Sequence, residues 1–306
     1  MRAYSLALLL ALPAAVHAQD MSAVKITVVP VTSGVYMLQG AGGNIGLSVG
    51  SDDAFMIDDQ YAALTPRIRA AIATVTSKPV RFLVNTHWHG DHSGGNQNMA
   101  AAGSILVAHE NVRRRMSTEQ FNELFKSRTA PSPSSALPVI TFSDEISFHL
   151  NGDTIRVSHV RNAHTDGDAV ITFRRANVVH MGDNFFNGNY PFIDLSSGGS
   201  LDGVIATSRR VLDLSTADTR IIPGHGPLAS RADLQRYHDM LADVRARLVP
   251  YAARKAPLSD VLAARPLASY DAGWGKGFMK PDVFLTIAYT SLTQAQPAGS
   301  AVTHGH

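Results

Sequence analysis

The sequence contains no cysteine in its 306 residues. No disulfide can form, and no metal site can use a thiolate ligand. An oxidising compartment is permitted by this composition but is not indicated by it. A metal site in this chain must be built from histidine nitrogens and carboxylate oxygens, which suit zinc, iron or manganese.

A strong excess of either charge is also missing. The chain has 27 basic and 25 acidic residues, and its formal net charge at pH 7 is +2. This balance gives no electrostatic basis for binding nucleic acid or an anionic membrane surface. Beyond the N-terminal segment, no apolar run is long enough to cross a membrane. We expect a small-molecule substrate as the partner, and the sequence gives no oligomeric state.

The N-terminus has the pattern of a secretory signal peptide. Arg2 precedes an apolar run from Leu6 to Leu12, and a small residue, Ala18, precedes the expected cleavage position. We expect residues 1–18 to be removed and the mature protein to be periplasmic or secreted. The alternative for this segment is a buried N-terminal helix.

Short β-like runs and helical patterns follow in two series. Four apolar runs between residues 25 and 57 predict an antiparallel meander, and the spacing of apolar residues predicts a helix over 64–75. Asn151-Gly152 predicts a tight hairpin, and further helices are predicted over 96–102, 201–214, 232–251 and 281–292. The pattern suggests two sheets, each covered by helices on its outer face. We expect one domain over residues 19–293 and a loose tail over 294–306.

Residues 110–140 interrupt this regularity. The apolar residues Met116, Phe121, Leu124 and Phe125 are spaced for helices, and a Pro- and Ser-rich stretch over 130–138 ends the pattern. We interpret the segment as a lid or a groove wall, with a solvated connecting excursion as the alternative.

The densest group of ionisable residues follows a predicted buried strand over 80–84. His87, His89, Asp91 and His92 fall within six residues, and Gly90 lets the backbone curl. In an extended segment, alternate side chains point the same way. His87, His89 and Asp91 are therefore expected on one side and His92 on another. The alternative interpretation is a polar loop that happens to be rich in histidine.

Three later residues of ligand type also lie beside strand ends or in tight loops. His164 precedes a predicted strand, Asp183 follows the apolar run from Val178, and His225 lies between two glycines in Pro-Gly-His-Gly-Pro. The ends of strands in a sandwich can bring residues from distant parts of the sequence to one edge. A metal site that joins these residues to the 87–92 group is the expected arrangement.

The pattern His-x-His-x-Asp-His at 87–92 resembles the signature of the metallo-β-lactamase superfamily. The resemblance covers roughly residues 24–251 and leaves open whether the C-terminal helices belong to it. It implies an α+β fold, the αββα four-layer sandwich of two similar halves.

The resemblance also implies a ligand set for two zinc ions. His87, His89 and His164 correspond to the first site, Asp91, His92 and His225 correspond to the second site, and Asp183 corresponds to a carboxylate that bridges both. Iron or manganese is the alternative metal. Zinc lowers the pKa of a bound water to about 7, and Asp91 is the candidate catalytic residue that orients this nucleophile and moves its proton.

Several neighbouring residues have two interpretations each. Asp58 or Asp59 either accepts a hydrogen bond from a ligand imidazole or caps a helix, and residues 40–43 suggest a mobile hairpin over the mouth of the site. The aromatic residues after Asp183 either line a substrate groove or belong to the core; they are Phe185, Phe186, Tyr190 and Phe192. The remaining histidines are expected to be structural or at the surface; they are His109, His149, His159, His180 and His238. His304 and His306 either capture metal or have no role.

The expected function is that of an exported dinuclear zinc hydrolase whose metal-bound hydroxide attacks a carbonyl. Exported β-lactamase-like hydrolases suggest a β-lactam-type cyclic amide as the substrate. The presence of both His92 and Asp183 is more similar to glyoxalase II and suggests a lactone, an ester or a thioester instead. No lysine closely follows Asp183 to bind a β-lactam carboxylate, and the possible substitutes are Arg174, Arg175 and Arg209. Alternatives of another class are an iron-dependent oxidoreductase and a non-catalytic metal-binding protein.

Overall fold

The computed structural model describes residues 21–294. The expected signal peptide over 1–18 and the tail residues 295–306, including His304 and His306, lie outside the described residues. The strands of the described part are β1 (Thr27–Thr32), β2 (Val35–Gln39), β3 (Ile45–Ser48), β4 (Ala54–Ile57), β5 (Val80–Val84), β6 (Ile105–His109), β7 (Gln120–Asn122), β8 (Ser127–Thr129), β9 (Ile140–Phe142), β10 (Glu145–Leu150), β11 (Asp153–His159), β12 (Ala169–Phe173), β13 (Val178–His180), β14 (Arg220–Ile222) and β15 (Ala229–Ser230). The α-helices of that part are α1 (Thr65–Ala73), α2 (Gly90–Ser93), α3 (Asn96–Ala101), α4 (Glu110–Met116), α5 (Leu201–Leu214), α6 (Arg231–Ala253), α7 (Leu258–Ala264), α8 (Ala268–Trp274) and α9 (Pro281–Thr293).

Two large sheets form the centre of the molecule. The first has the strand order β1-β2-β3-β4-β5-β6-β9, and the second has the order β10-β11-β12-β13-β14-β15. Strands β1 to β4 pair antiparallel, which confirms the predicted meander, whereas β4, β5, β6 and β9 pair in parallel. Asn151 and Gly152 both have positive φ between β10 and β11, which confirms the predicted tight hairpin.

Strand β4 shows how the layers pack. Successive side chains of a strand face opposite sides, and all four residues of β4 are buried. Phe55 and Ile57 pack between the two sheets, whereas Ala54 and Met56 join the cluster that contains α1 and α3. The outer face of the second sheet packs against α5, α6 and α9 in a third cluster. The layers are therefore helix, sheet, sheet, helix, and the expected sandwich is confirmed.

The segment after α4 differs from its predicted helical structure. The helix ends at Met116, and residues 120–129 form the antiparallel pair β7–β8. The Asn122 side chain accepts hydrogen bonds from the backbone N–H groups of Leu124 and Phe125, which stabilises a turn in place of a helix. The helical prediction beyond Met116 is therefore wrong. Within residues 21–294, no helix is long and apolar enough to span a bilayer.

Candidate metal centre

Four strand ends bring residues of both sheets to one edge of the sandwich. Asp58 follows β4 and His87 lies just after β5, while Asp183 lies just after β13 and His225 just after β14. These pairs of strands are parallel, so their carboxyl ends point in the same direction. His164 reaches the same edge from the loop between β11 and β12.

The seven residues predicted as ligands meet in two adjoining groups. Each residue offers one potential ligand atom, and within each group these atoms all lie within 4.8 Å of one another. The first group is His87, His89, His164 and Asp183, and the second group is Asp91, His92 and His225. This grouping agrees with the ligand sets that the family resemblance implies. It differs from the expectation, based on strand alternation, that Asp91 would face the same side as His87 and His89.

That expectation is wrong because the chain is not extended through the whole motif. His89 has extended backbone angles, but the helical turn α2 begins at Gly90. Asp91 and His92 are consecutive in this turn, and both side chains lie near His225. The Asp91 Oδ2 lies 3.3 Å from His225 Nε2, and His92 Nε2 lies 3.4 Å from the same atom.

Three ring nitrogens face one another in the first group. His89 Nδ1 lies 3.1 Å from His87 Nε2 and 2.9 Å from His164 Nε2. The opposite nitrogens have acceptors, because His89 Nε2 donates to Asp194 at 3.0 Å and His164 Nδ1 donates to the Phe192 carbonyl at 2.8 Å. A neutral imidazole carries one N–H, so the facing nitrogens present lone pairs. Lone pairs at this separation are stabilised by a cation between them.

Asp58 orients His92 directly and His87 through the Thr86 hydroxyl. Its Oδ2 accepts a hydrogen bond from His92 Nδ1 at 2.7 Å and another from the Thr86 hydroxyl at 2.7 Å. The Thr86 hydroxyl lies 3.0 Å from His87 Nδ1, so it accepts from His87 while it donates to Asp58. Both Nε2 atoms are thereby directed to the centre. The expected contact between an aspartate and a ligand imidazole is confirmed for Asp58, whereas Asp59 accepts from the Gly95 backbone.

The Asp183 carboxylate lies between the two groups. Its Oδ1 is 2.9 Å from His92 Nε2, and its Oδ2 is 3.4 Å from His225 Nε2 and 3.6 Å from His164 Nε2. A Cβ atom at Gly224 would lie 2.1 Å from Asp183 Oδ1. Glycine is therefore required beside this carboxylate, which agrees with the expected close approach of the backbone next to His225.

The charges of the cluster follow from burial and from these contacts. Burial lowers the pKa of His87 well below its usual value and lowers the pKa of His164 to about 4, which keeps both rings neutral. Burial opposes a charge on His225, but Asp183 and Asp91 raise its pKa to about 9. Burial also opposes ionisation of Asp183, but His225 and His92 lower its pKa well below the usual value. The neutral rings of His87 and His164 and the ionised Asp183 carboxylate fit a divalent cation at the first group. At the second group, the carboxylates of Asp183 and Asp91 favour a positive charge beside them, which a bound cation would supply.

The His225 loop is held by the first sheet. The Asn44 side chain donates to the carbonyls of Pro223 and Gly226, each at 2.9 Å. Gly43, which precedes it, donates to the Asp91 carbonyl at 3.0 Å, and a Cβ there would lie 2.0 Å from His92 Cε1. The residues 40–43 were expected to form a mobile hairpin, but this turn is fixed by hydrogen bonds against the cluster.

The four aromatic residues after Asp183 divide into two pairs. Phe186 stacks on His225 at a centroid distance of 5.0 Å, and Phe192 stacks on His89 at 5.7 Å. Phe185 packs against Tyr237, and Tyr190 stacks on Phe284 in the core. The groove interpretation therefore applies only to Phe186 and Phe192.

The remaining candidates lie in other contacts. His180 donates to the Asn44 carbonyl, and His109 stacks on His159 at 3.8 Å, so these three histidines are structural. The arginines considered for a substrate carboxylate are also placed elsewhere. Arg175 donates to the Gly152 carbonyl and Arg209 pairs with Asp213, while Arg174 lines a cavity on the outer face of the second sheet.

Three residues that position the cluster were missed in the sequence. Thr86 lies inside the motif, but only its hydroxyl geometry shows its role. Asn44 and Asp194 lie far from the motif in sequence, and no spacing connects them to it. Asp194 carries the stronger contact, because it binds a cluster histidine directly and is almost fully buried.

Comparison with known proteins defines the class. The family model described as the metallo-beta-lactamase superfamily matches residues 39–225, and the chain belongs to this superfamily. Among curated proteins, an atrochrysone carboxyl ACP thioesterase from Aspergillus terreus is 25% identical over 201 residues, which are 66% of this chain and 52% of that protein. The chain therefore spans about half the length of this curated relative.

Solved structures show the same fold at low sequence identity. A metallo-beta-lactamase from Pontibacter korlensis has a TM-score of 0.58 and 19% identity, with 71% of this chain and 99% of that chain covered. The DIM-1 metallo-beta-lactamase has a TM-score of 0.56 and 16% identity, with 72% of this chain and 99% of that chain covered. The sec-alkylsulfatase Pisa1 from Pseudomonas sp. has a TM-score of 0.66 and 15% identity, with 87% of this chain and 50% of that chain covered. These matches confirm the fold, and the family match confirms the expected superfamily.

Proposed function

We propose that this chain is an exported, dinuclear zinc-dependent hydrolase that cleaves an ester or thioester bond of a small molecule. One observation carries the proposal: the Asp183 carboxylate lies between a group of three histidines and a second group with two histidines and Asp91. A carboxylate shared between two sets of donors fits a pair of divalent cations. His87, His89 and His164 would hold the first ion, and Asp91, His92 and His225 would hold the second.

Metals in such a site lower the pKa of water to about 7 and polarise the carbonyl under attack. This chain's own residues orient the reaction. The Asp91 side chain is 25% exposed, whereas Asp183 is 5% exposed, so Asp91 is the carboxylate that an incoming substrate and water can reach. Asp91 is proposed to accept a hydrogen bond from the attacking water and to pass its proton onward. Phe186 and Phe192 cover the flanks of the cluster and limit access of bulk water.

The arginine positions favour an ester or a thioester over a β-lactam. A β-lactam carries a carboxylate that a nearby cationic side chain would bind, but Arg175 and Arg209 are engaged in other contacts and Arg174 lines a separate cavity. The curated relative is a thioesterase, which supports the same preference. A β-lactam-type amide is the second candidate, which the fold likeness to two β-lactamases supports.

Two alternatives of another class have less support. An iron-dependent oxidoreductase could use the same scaffold and the same histidine and carboxylate donors, but the curated relative is a hydrolase, a thioesterase. A non-catalytic metal-binding protein would not require that one of the seven donors, the Asp91 carboxylate, be partly exposed to solvent. Export after cleavage at Ala18 is part of the proposal, and sequencing of the mature N-terminus tests it. An N-terminus at Met1 in the native host would overturn the export proposal.

A substrate screen tests the activity. Zinc-loaded protein is assayed with an acyl thioester, an aryl ester, a lactone, a chromogenic cephalosporin and a phosphodiester. We expect turnover of the thioester and the ester, with a loss of at least a hundredfold in Asp91→Ala and no change in the control His149→Ala, which changes an exposed residue of β10. Faster turnover of the cephalosporin would favour the second candidate. Oxygen uptake with one iron per chain and no hydrolysis would contradict the proposal.

A further inference from the structure

Exposed apolar side chains are concentrated at one side of the metal centre. Among the described residues, eight large hydrophobic side chains are exposed, and half of them lie in the segment that holds β7–β8 and in the loop before α9. These four are Phe121, Leu124, Phe125 and Phe278, with exposed fractions of 38%, 37%, 45% and 76%. Grouped apolar exposure of this kind marks a binding surface more often than scattered single residues do.

Three of the aromatic rings form a continuous path to the cluster. The ring centroid of Phe125 lies 6.0 Å from that of Phe278 and 5.4 Å from that of Phe192. Phe192 in turn lies 5.7 Å from His89 and 5.6 Å from His164. We call Phe278, Phe125 and Phe192 the aromatic strip. It connects a largely exposed ring, Phe278, to the first group of metal-ligand candidates through consecutive aromatic contacts.

The strip is attached to the centre by hydrogen bonds as well. Asn122 donates to Asp194 Oδ1 at 3.2 Å, and Asp194 Oδ2 accepts from His89. The charged residues beside the strip neutralise each other, because Lys126 pairs with Glu123 and Arg128 pairs with Glu119. A cavity of about 290 Å³ adjoins Phe192 and is lined by Leu124 and Ile287 among others. The strip therefore offers apolar contact along Phe125 and Phe192, and two lysines, Lys276 and Lys280, lie beside Phe278 at its outer end.

We propose that the aromatic strip binds a neutral apolar acyl or aryl group of the substrate while the bond to be cleaved lies at the metal centre. This inference rests on the proposed hydrolase function and names its substrate class. The strip ends at His89, so a ligand lying along it would place its polar end beside the cluster. Burial of each methylene group strengthens binding by about fourfold. The protein should therefore prefer long or aromatic acyl groups to acetyl.

The test uses a series of acyl thioesters from acetyl to decanoyl and the full zinc-loaded chain. We expect kcat/KM of the wild type to rise along the series because KM falls. In the double variant Phe125→Ala with Phe278→Ala, kcat/KM should fall about tenfold for the decanoyl thioester and less than twofold for the acetyl thioester. The matched control is Leu214→Ala, which removes a side chain with 77% exposure. Leu214 ends the helix α5, which begins beside His164 and extends about 20 Å away from it. The control should retain the wild-type chain-length dependence.

A binding measurement separates this inference from the proposed function. Calorimetric titration with a non-hydrolysable decanoyl thioether should show binding that the double variant weakens about tenfold, even if no thioester is hydrolysed. An unchanged chain-length dependence and unchanged thioether affinity in the double variant would overturn the inference. Sedimentation of the wild type, but not of the double variant, with neutral phosphatidylcholine vesicles would assign the strip to a membrane. A concentration-dependent increase in mass that the double variant loses would assign the strip to a second copy of the chain. Either result would also overturn the inference.

Discussion

Each histidine at the centre of the first group depends on a partner at its other ring nitrogen. Asp194 holds His89, the Phe192 carbonyl holds His164, and Thr86 holds His87. These partners select the tautomer that directs a lone pair inward. The seven ligand candidates could be predicted because the His-x-His-x-Asp-His pattern resembles the superfamily signature and because that resemblance implies His164, Asp183 and His225 as the remaining ligands. Asp194 was not, because its role depends on a contact across 105 positions of the chain.

Substitution of Asp194 tests this dependence. In Asp194→Asn the acceptor for His89 Nε2–H is weakened and its negative charge is removed, so we expect metal affinity to fall about 10- to 100-fold. The measurement is competition with a chromogenic zinc chelator. The matched control is Asp233→Asn, which changes an aspartate of the capping box at the start of α6. Equal zinc affinity in Asp194→Asn and the wild type would show that this contact does not position His89.

The backbone at Gly43 is predicted to have no space for a side chain. A Cβ there would lie 2.2 Å from His92 Nε2, and His92 is fully buried and cannot move aside easily. We expect Gly43→Ala to lose at least one metal equivalent and most hydrolytic activity. The control Gly273→Ala lies in α8 and has no atom within 4 Å of the added methyl. Full metal content in Gly43→Ala would contradict the close packing described for this turn.

At the scale of single elements, the sequence predicted the elements whose patterns are continuous. The helix over Leu201–Leu214 has the bounds expected from its apolar spacing. The helical prediction beyond Met116 failed because Asn122 stabilises a local turn. The apolar residues of this segment remain partly exposed. The prediction that His87, His89 and Asp91 face one side of an extended segment failed because a helical turn begins at Gly90. Periodicity cannot show where a short segment changes its backbone conformation.

The stacked pair His109 and His159 joins β6 of the first sheet to β11 of the second and predicts a dependence of stability on pH. Burial lowers the pKa of His109 from 6.5 to about 4 and also lowers the pKa of His159. Both rings are therefore neutral in the folded state, and their contribution is complete above pH 6.5. Between pH 6.5 and about 4 the unfolded chain binds protons that the folded chain does not bind, so the free energy of unfolding should fall.

Urea unfolding at several pH values checks this expectation. His159→Phe retains an aromatic ring beside His109 but removes one titrating group, so its free energy of unfolding should fall less steeply than that of the wild type. His149→Phe, on the exposed side of β10, is the control and should follow the wild type. Parallel curves for His159→Phe and the wild type would contradict the expected effect of the stack.

At the scale of the whole molecule, the C-terminal helices pack into the sandwich. The helices α7 and α8 were not predicted, because each is short and lacks a clear apolar period. Phe284 of α9 is fully buried and lies in one cluster with Leu241 of α6 and Val204 of α5. The sequence could predict the layers from alternating series of strands and helices. It could not predict this packing, because packing depends on shape rather than on pattern.

The contribution of α9 can be measured by truncating one side chain. Phe284 stacks on Tyr190 at a centroid distance of 4.2 Å, and we expect Phe284→Ala to lower the free energy of unfolding by about 3–5 kcal/mol. Phe278→Ala removes a ring of the same size that is 76% exposed and should have little effect on stability. A loss below about 1 kcal/mol in Phe284→Ala would show that α9 is not part of the cooperative core.

We propose that two divalent cations share the Asp183 carboxylate. The most direct test of this proposal is elemental analysis of the purified, dialysed protein together with the Asp183→Ala variant. We predict about two zinc equivalents per chain in the wild type, and one or fewer in Asp183→Ala, with the fold retained by circular dichroism. One equivalent or none in the wild type, or two equivalents in Asp183→Ala, would contradict the account.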